Sequence, residues 1–353
     1  MPVSERVAAL VPLMRDRAAG LDRVADFPAE DMADLRRIGA LTLALPVTNA
    51  DPPSVRALHV RELEAVLTLT GSGNLATGRI LEAHLNARHL IGRYGTAPQR
   101  RLGDEAPLLA LWVTDPPSGG LRMRRDGAAI VLSGGKQFCS AAGHASHALV
   151  TAEDEGGRAR MLLVPLRCGE RVTPLPAPLA GMRASVTGAV DFSGCRVAED
   201  AVLGGPGDYL REPDFSAGAW RGSAVALGGL TALVELAVAH LRGGTRLDHP
   251  QMLARFGHIF IARDTAALWV RRAGEAAEDP TRACQDRVAT VGLGRLAVEA
   301  ACLEAMTLIQ QSIGLAAFRQ GDPIERIGRD LQTYLRQPAR DAVLADAAAW
   351  FAR

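Results

Sequence analysis

The sequence lacks an excess of charge of either sign, and it has almost no lysine. Its 40 basic residues face 39 acidic ones, which gives a formal net charge of +1, and Lys136 is the single lysine. This balance excludes the strongly basic surface that is typical of nucleic-acid-binding proteins. Because arginine replaces lysine everywhere else, the one remaining lysine suggests a position where a compact ammonium group is required.

Paired cysteines and long apolar runs are lacking as well. The five cysteines are odd in number and form no C-x-x-C pair, which favours reduced thiols over a disulfide framework or a zinc site. His144 and His147 have no further ligand close by in the sequence, so no metal is predicted. No uninterrupted apolar run approaches the roughly 18 residues of a membrane span, and the charged N-terminus does not resemble a signal peptide. We therefore expect a cytoplasmic protein without a membrane partner.

Three kinds of pattern follow one another along the chain. Apolar residues recur every three or four positions up to residue 107, which predicts an N-terminal α-helical domain, 1–107. Short apolar runs separated by Gly, Pro and Asp predict a central antiparallel β-domain, 108–207. Long helical patterns then predict a C-terminal helical bundle, 208–353. The fold class is α+β, and a Rossmann fold is excluded because strands and helices do not alternate.

Three stretches in and after the predicted strands resemble motifs of the acyl-CoA dehydrogenase family. LWVTDPPSGG at 111–120 is similar to the flavin-contact pattern V-T-E-P-x-x-G-S. SGGKQFCSAAG at 133–143 is similar to the strand G-x-K-x-W-I-(T/S) beside the flavin ring, and GMRAS at 181–185 to a G-x-R-x-S segment. The resemblance implies an acyl-CoA dehydrogenase-like fold with a C-terminal four-helix bundle. It also implies FAD between the β-domain and the bundle, in a homodimer or homotetramer.

The resemblance further implies which residues contact the cofactor. Thr114 would offer its hydroxyl to the polar edge of the flavin, and Phe138 would lie against the ring. Cys139 and Ser140 would bring hydrogen-bond donors near the reactive nitrogen. Considered without the family, the same residues are typical of an ordinary strand, with Phe138 in the core.

A second group of cofactor contacts is implied in the bundle. QSIGLAAF at 311–318 resembles Q-x-x-G-G-x-G-(F/Y), where the family meets the FAD of a neighbouring subunit, and Gln251 resembles another contact of that interface. Two of the motif's glycines are replaced here, so a looser approach to the FAD pyrophosphate is expected. The full predicted FAD-binding set is Trp112, Val113, Thr114, Gly119, Phe138, Cys139, Ser140, Gln251, Gln311 and Gly314.

The general base of the family is missing from both of its usual places. Acyl-CoA dehydrogenases hold a glutamate in a Y-E-G-T motif, and counting from the Arg-Asp pair at 329–330 puts this position at Pro338. Other members hold it before an arginine of the bundle, which is Trp220 before Arg221 here. Proton removal beside a thioester carbonyl requires a base within hydrogen-bond reach. Asp341 and Glu212 lie near these places in the sequence and are the candidate substitutes, and a solvated helix cap is the alternative role of Asp341.

One further carboxylate, Glu325, has the pattern of a structural residue. Asp322 suits a helix N-cap, Pro323 the first helical position, and Glu325 the third, which is the arrangement of a capping box. Glu325 and Arg329 also share one helix face. The sequence therefore predicts that Glu325 stabilises the start of a helix and takes no part in catalysis.

Three functions remain open on this evidence. The first is FAD-dependent α,β-dehydrogenation of an acyl thioester with a displaced or missing base. Arg221 would then contact the acyl or CoA part of the substrate, or else form an interface ion pair. The second is a flavin-dependent monooxygenase of the same fold, which activates oxygen and needs no carbon base. The third is a non-catalytic subunit of a hetero-oligomeric dehydrogenase. The expected partners are an acyl thioester or other small molecule, and an electron acceptor or oxygen.

Overall fold

The structure is a computed structural model that describes residues 1–43, 52–243 and 249–353. The α-helices in these ranges are α1 Val3–Val24, α2 Ala29–Arg37, α3 Pro53–Gly73, α4 Leu75–Tyr94, α5 Ala97–Glu105, α6 Asp214–Ala217, α7 Ala219–Gly243, α8 Pro250–Ala277, α9 Cys284–Ile313, α10 Pro323–Tyr334 and α11 Arg340–Phe351. The strands are β1 Leu109–Trp112, β2 Arg122–Asp126, β3 Ala129–Ser133, β4 Gly135–Cys139, β5 His147–Glu153, β6 Ala159–Pro165, β7 Val172–Thr173, β8 Gly188–Asp191, β9 Arg196–Ala198 and β10 Val202–Leu203.

The described residues form two compact units. The helical unit comprises 1–79, 180–184 and 216–353, and the β-unit comprises 80–179 and 185–215. All of the strands lie in the β-unit. The order of helices, strands and helices confirms the predicted α+β class. The bounds of the three predicted domains stay predictions.

Helix α7 is apolar on nearly all sides and lies inside the helical unit. Trp220, Val225 and Leu230 on this helix are fully buried. The helix approaches α3 so closely that a side chain on Gly228 would overlap the main-chain oxygen of Thr68. The most apolar window of Asp214–Arg242 has the length and composition of a membrane span, but 67% of it is buried inside the protein. This burial is what a core helix requires, and a single chain provides it.

The strands of the β-unit form two sheets with a common core. The larger sheet has the order β10-β6-β5-β2-β3-β9 with β1 added beside β5, and the smaller has the order β4-β8-β7. Most neighbours are antiparallel, as predicted, but β1 runs parallel to β5 and pairs Trp112 with Val150. Trp112, Cys139 and Phe192 contribute to one apolar core that draws on both sheets. This core brings the end of β1 next to β4.

Candidate functional site

Two segments that are distant in sequence lie side by side in the β-unit, at 112–115 and at 136–140; we call them the paired segments. The main-chain N–H of Gln137 donates to the carbonyl oxygen of Thr114 at 2.9 Å. The indole N–H of Trp112 donates to the carbonyl oxygen of Ser140, also at 2.9 Å. The two stretches predicted to contact a flavin are therefore neighbours in space.

Lys136 joins the paired segments through a buried ammonium group. Its side chain is 1% exposed, and Nζ donates to Asp115 Oδ1 at 2.5 Å. The same Nζ donates to Thr151 Oγ1 at 2.9 Å and to the Val113 carbonyl oxygen at 3.4 Å. Burial lowers the pKa of Lys136, and Asp115 acts in the opposite direction. Three acceptors match the three donors of an ammonium, which a planar guanidinium could not replace.

A β-bulge in β4 turns Phe138 out of the small sheet. The pairing of β4 with β8 includes Gly135, Lys136 and Cys139, and its register shifts between the last two. Phe138 has a φ of +54°, a left-handed conformation that is rare for a bulky residue. Its side chain is 49% exposed, so the alternative that placed it in the core is wrong. Unusual backbone conformations of this kind cluster at functional sites.

The other predicted residues of the paired segments differ in what they can offer a ligand. Trp112 packs near Phe192 in the core and is only 3% exposed, so its side chain has a structural role. Burial raises the pKa of the Cys139 thiol to about 12, which keeps it protonated. Within the part of the chain that the structure describes, the hydroxyls of Thr114 and Ser140 have no hydrogen-bond partner.

These features fit a flat aromatic ligand with a polar edge, such as a flavin. The exposed ring of Phe138 can pack against a ligand ring. The hydroxyls of Thr114 and Ser140 can hydrogen-bond to a polar edge. So can the main chain of Phe138, which lies outside the regular pairing of β4 with β8. Gly119 lies exposed at the end of the first motif with a φ of +126° and open space around its Cα. The residues present therefore suit the cofactor that the resemblance implies.

The positions of the family base lie in the helical unit, and neither of them holds a carboxylate. Trp220 is fully buried, with its Nε1 3.4 Å from Glu278 Oε1. Pro338 lies between α10 and α11, where its carbonyl oxygen accepts a hydrogen bond from Arg295 at 3.1 Å. The side chain of Asp341 is 97% exposed in the first turn of α11. This is the setting of a solvated residue at a helix start.

Arg221, the predicted substrate contact, is held in a buried ion pair. Its side chain is 3% exposed, and Nη2 donates to Glu278 Oε1 at 2.8 Å. Its guanidinium also lies 5.7 Å from the ring centre of Trp220. An ion pair was the alternative interpretation, but both partners belong to one chain and not to a subunit interface. The pair connects the start of α7 with the residue that follows α8.

The predicted contacts to a neighbouring subunit lie close together in the helical unit. Arg255 on α8 donates to the Gln311 carbonyl oxygen at 3.3 Å, which places the first turns of α8, with Gln251, beside the end of α9. A short 3-10 helix, Gly314–Phe318, follows α9. Leu315 in this helix is 86% exposed. The region is therefore an exposed apolar surface next to two polar side chains.

The start of α10 shows only part of the predicted capping box. The Asp322 side chain accepts from the Ile324 N–H at 2.8 Å, as an N-cap does. Glu325 does not return to the N-cap main chain to complete a capping box, and accepts from Arg329 Nε at 2.8 Å instead. Arg329 also pairs with Asp22 at 2.7 Å. Glu325 thus forms the i, i+4 pair with Arg329 that its helix face predicted, in place of the capping box.

The sequence analysis did not identify three residues that form hydrogen bonds at the paired segments: Asp115, Gln137 and Thr151. A buried lysine needs acceptors, so the carboxylate of Asp115 in the first motif was open to inference. Thr151 reaches Lys136 only through the packing of β5, which leaves no mark in the local sequence. Among the described residues, no group of three or more His, Cys, Asp or Glu side chains is placed to hold a metal ion.

Comparison with known proteins gives solved structures only. No protein-family model matches the sequence, and no curated protein matches it significantly. KijD3 in complex with FMN and dTDP-3-amino-2,3,6-trideoxy-4-keto-3-methyl-D-glucose is similar with a TM-score of 0.82 and 22% identity, over 100% of this chain and 94% of that chain. TdsC from Paenibacillus sp. A11-2 with FMN and indole has a TM-score of 0.86 and 18% identity, over 99% and 96%.

A glutaryl-CoA dehydrogenase from Mycobacterium smegmatis in complex with FADH2 is similar over the same extent. The TM-score is 0.83 at 16% identity, over 99% of this chain and 93% of that chain. At such low identities the likeness establishes the fold, and it covers both the helical unit and the β-unit. The chain is a divergent example of the acyl-CoA dehydrogenase-like fold.

Proposed function

We propose that the chain is a flavin-dependent monooxygenase and not an acyl thioester dehydrogenase. The observation that carries this proposal is the absence of a carboxylate from both base positions, which hold Trp220 and Pro338. The substitute, Asp341, is 97% exposed. Loss of a general base alone typically costs about 10²–10⁴-fold in rate, whereas oxygen transfer from a flavin needs no carbon base.

The paired segments support flavin binding. Phe138 would contact the flavin ring, Thr114 and Ser140 would hydrogen-bond to its polar edge, and Lys136 would hold the two segments at a fixed separation. A bound and reduced flavin would supply the two electrons that this reaction needs. One atom of molecular oxygen enters the substrate, and the other leaves as water. Cys139 beside it stays protonated, so a competing thiolate is excluded.

The similar solved structures support the same class of enzyme. KijD3 and TdsC were solved with FMN and the glutaryl-CoA dehydrogenase with FADH2. TdsC is a dibenzothiophene monooxygenase, and a further similar structure is a nitrososynthase. A flavin is therefore the proposed cofactor, and FAD in particular stays a prediction. The molecules bound in these structures include an amino sugar nucleotide and indole, so small molecules of these classes are the first to try.

The proposal is tested with labelled oxygen. The protein, saturated with FMN or FAD, is supplied with a flavin reductase and ¹⁸O₂, and products from amino sugar nucleotides and aromatic heterocycles are examined by mass spectrometry. We expect one labelled atom in the product and a loss of product with Phe138→Ala. Phe215→Ala is the matched control, because its side chain in the β-unit is 45% exposed. Unsaturated product from an acyl thioester without oxygen would contradict the proposal.

We also propose that the chain works as a homodimer or homotetramer. The apolar surface of α7 is buried within a single chain, so α7 gives no evidence for an oligomer. The evidence for an oligomer comes from α8. Leu253, Ile261 and Leu268 on this helix are 55%, 64% and 72% exposed and lie on one side of it. The Arg255–Gln311 contact places the first turns of α8 beside the end of α9, and exposed Leu315 follows that end. A second copy of the chain is the partner we propose for this side of α8.

A further inference from the structure

A second pocket of the β-unit, with a volume of about 200 Å³, lies where the turn between β5 and β6 meets β2 and β10. Its lining includes the apolar residues Met123 on β2 and Val202 on β10, and the cation Arg160 on β6. Met123 belongs to the common core of the two sheets, so the pocket borders that core. No lining residue that the structure describes belongs to the paired segments. The pocket is therefore separate from the candidate flavin site.

Arg160 brings a mostly buried cation to this pocket. Its side chain is 19% exposed, and none of its side-chain N–H groups donates a hydrogen bond to a residue that the structure describes. The carboxylate oxygen Oδ2 of Asp154 lies 3.9 Å from Nη1 of Arg160, which is too far for a hydrogen bond. A mostly buried cation without hydrogen-bond acceptors is costly, and a ligand or an ordered water is the usual explanation.

Asp154 is not free to supply these acceptors, because its own turn uses them. Its Oδ1 accepts from the main-chain N–H of Gly156 and from that of Arg158, both at 3.0 Å. Its Oδ2 accepts from Nε of Arg158 at 3.1 Å. These hydrogen bonds, with the Arg158 main-chain N–H first, lower the pKa of Asp154. An acceptor for Arg160 would therefore have to enter from the pocket.

The other charges around the pocket are mostly paired. Arg158 pairs with Asp154 at 3.1 Å, and Arg125 pairs at 2.6 Å with Glu199, which is not a lining residue. Glu155 is exposed at the turn and forms no ion pair with the described part of the chain. It opposes an anion in the pocket, but the surrounding solvent screens this repulsion. The guanidinium on β6 is thus the cation that is available to an anionic ligand.

We propose that this pocket binds the carboxylate of a small organic acid, with Arg160 as its anion contact. A guanidinium recognises a carboxylate through two parallel hydrogen bonds. Met123 and Val202 can pack against a short apolar body. The volume is below the roughly 300–1,000 Å³ of sites for drug-sized ligands, which favours a short aliphatic or single-ring acid. The proposal is independent of the function proposed above, because it uses none of the flavin contacts.

The test is calorimetric titration of the protein with and without saturating flavin. The probes are butanoate and benzoate, with butanol and benzyl alcohol as uncharged counterparts and inorganic phosphate as an anion without an apolar body. Arg160→Gln removes the proposed contact, and Arg124→Gln removes a charge from an exposed position outside the lining. We expect at least one acid to bind, about ten-fold more weakly in Arg160→Gln and within about two-fold of wild type in Arg124→Gln.

A variant at the turn keeps the test decisive if Arg160→Gln does not fold. Glu155→Gln removes the opposing charge and leaves Arg160 in place. We expect it to strengthen the binding of the acid by about two- to three-fold at low salt. Acid binding that is not strengthened in Glu155→Gln contradicts the proposed location.

Further outcomes would overturn the site. These are no binding of either acid, equal weakening in Arg160→Gln and Arg124→Gln, and an alcohol that binds as tightly as its acid. Phosphate that binds more tightly than both acids overturns the assignment to a carboxylate. Loss of acid binding on saturation with flavin overturns the separate location, because the acid then occupies the cofactor site. Acid binding through Arg160 in a protein that retains no flavin supports this pocket and refutes the monooxygenase.

Discussion

Lys136 holds two distant segments together because an ammonium group can donate to three acceptors at once. Asp115 and Val113 belong to the segment after β1, and Thr151 belongs to β5. The side chain is 1% exposed, so a larger planar group would have to displace its neighbours. This geometry gives a physical reason for one lysine in a chain that otherwise uses arginine.

The first prediction concerns this ammonium group. Lys136→Met keeps the apolar stem and removes the donors. We expect the free energy of unfolding to fall by about 1–3 kcal/mol, because the half-buried acceptors of Thr151 and Val113 lose their donor. Flavin binding should weaken by about ten-fold as the paired segments separate. Denaturant unfolding and fluorescence titration with flavin measure the two effects.

A surface cation provides the control for Lys136. Arg196 pairs with Asp126 while both side chains are about half exposed. Arg196→Met should lower the free energy of unfolding much less than Lys136→Met does and leave flavin binding unchanged. Equal effects of Lys136→Met and Arg196→Met would mean that Lys136 has no special role in positioning the segments.

The second prediction is that Phe138→Gly stabilises the fold while it weakens flavin binding. A left-handed conformation costs a non-glycine residue roughly 1–2 kcal/mol. Phe138→Gly relieves this strain and should raise the free energy of unfolding by about 1 kcal/mol, yet it removes the ring that contacts the flavin. Phe138→Ala removes the ring and keeps the strain, so it should weaken flavin binding without stabilising the fold. If both variants bind flavin as tightly as wild type, Phe138 does not belong to the site.

At the scale of helices and strands, the periodicity of the sequence predicts the features that depend on one segment alone. The α+β order follows from repeats that can be read within one segment, and the family motifs located the paired segments. The parallel pairing of β1 with β5 has no local signal, because the same apolar run suits either direction. The left-handed Phe138 arises from a register shift against β8, and the Arg221–Glu278 pair joins residues 57 positions apart.

A buried carboxylate connects α10 to the segment 180–184. Asp330 accepts from the main-chain N–H of Met182 at 2.6 Å, and burial raises the pKa of Asp330 to about 6. The ordinary value is about 3.9, so the folded protein binds this proton more tightly than the unfolded chain. The stabilising contribution is complete below about pH 4 and is lost as the pH rises through 6.

The third prediction uses a variant that cannot titrate. Asp330→Asn keeps an acceptor for Met182 at every pH. We expect the melting temperature of Asp330→Asn, relative to wild type, to rise between about pH 4.5 and pH 7, because only wild type loses stability there. Thermal unfolding of both proteins at four pH values measures the difference. Arg326 and Arg329 lie 3.8 and 3.7 Å from the Asp330 carboxylate. A difference that stays constant or falls would show that these two arginines keep Asp330 ionised throughout.

At the scale of the whole molecule, the prediction concerns the oligomeric state. We expect light scattering to report a dimer or tetramer, and Leu268→Glu to shift it toward monomer, because a charge would be placed in an apolar interface. Leu58→Glu on α3 is the matched control, since Leu58 is 65% exposed against 72% for Leu268. A monomeric wild type, or dissociation in both variants, would contradict the proposed surface on α8.

The measurement that tests the account most directly is the anaerobic absorbance spectrum of the flavin-loaded protein during titration with saturated acyl-CoAs. We predict that the oxidised flavin spectrum persists, because Trp220 and Pro338 cannot accept a proton and Asp341 is exposed to solvent. A chemical reductant, which needs no base, should bleach the same sample. Bleaching by an acyl-CoA at typical enzymatic rates of about 1–10³ s⁻¹ would contradict the central claim.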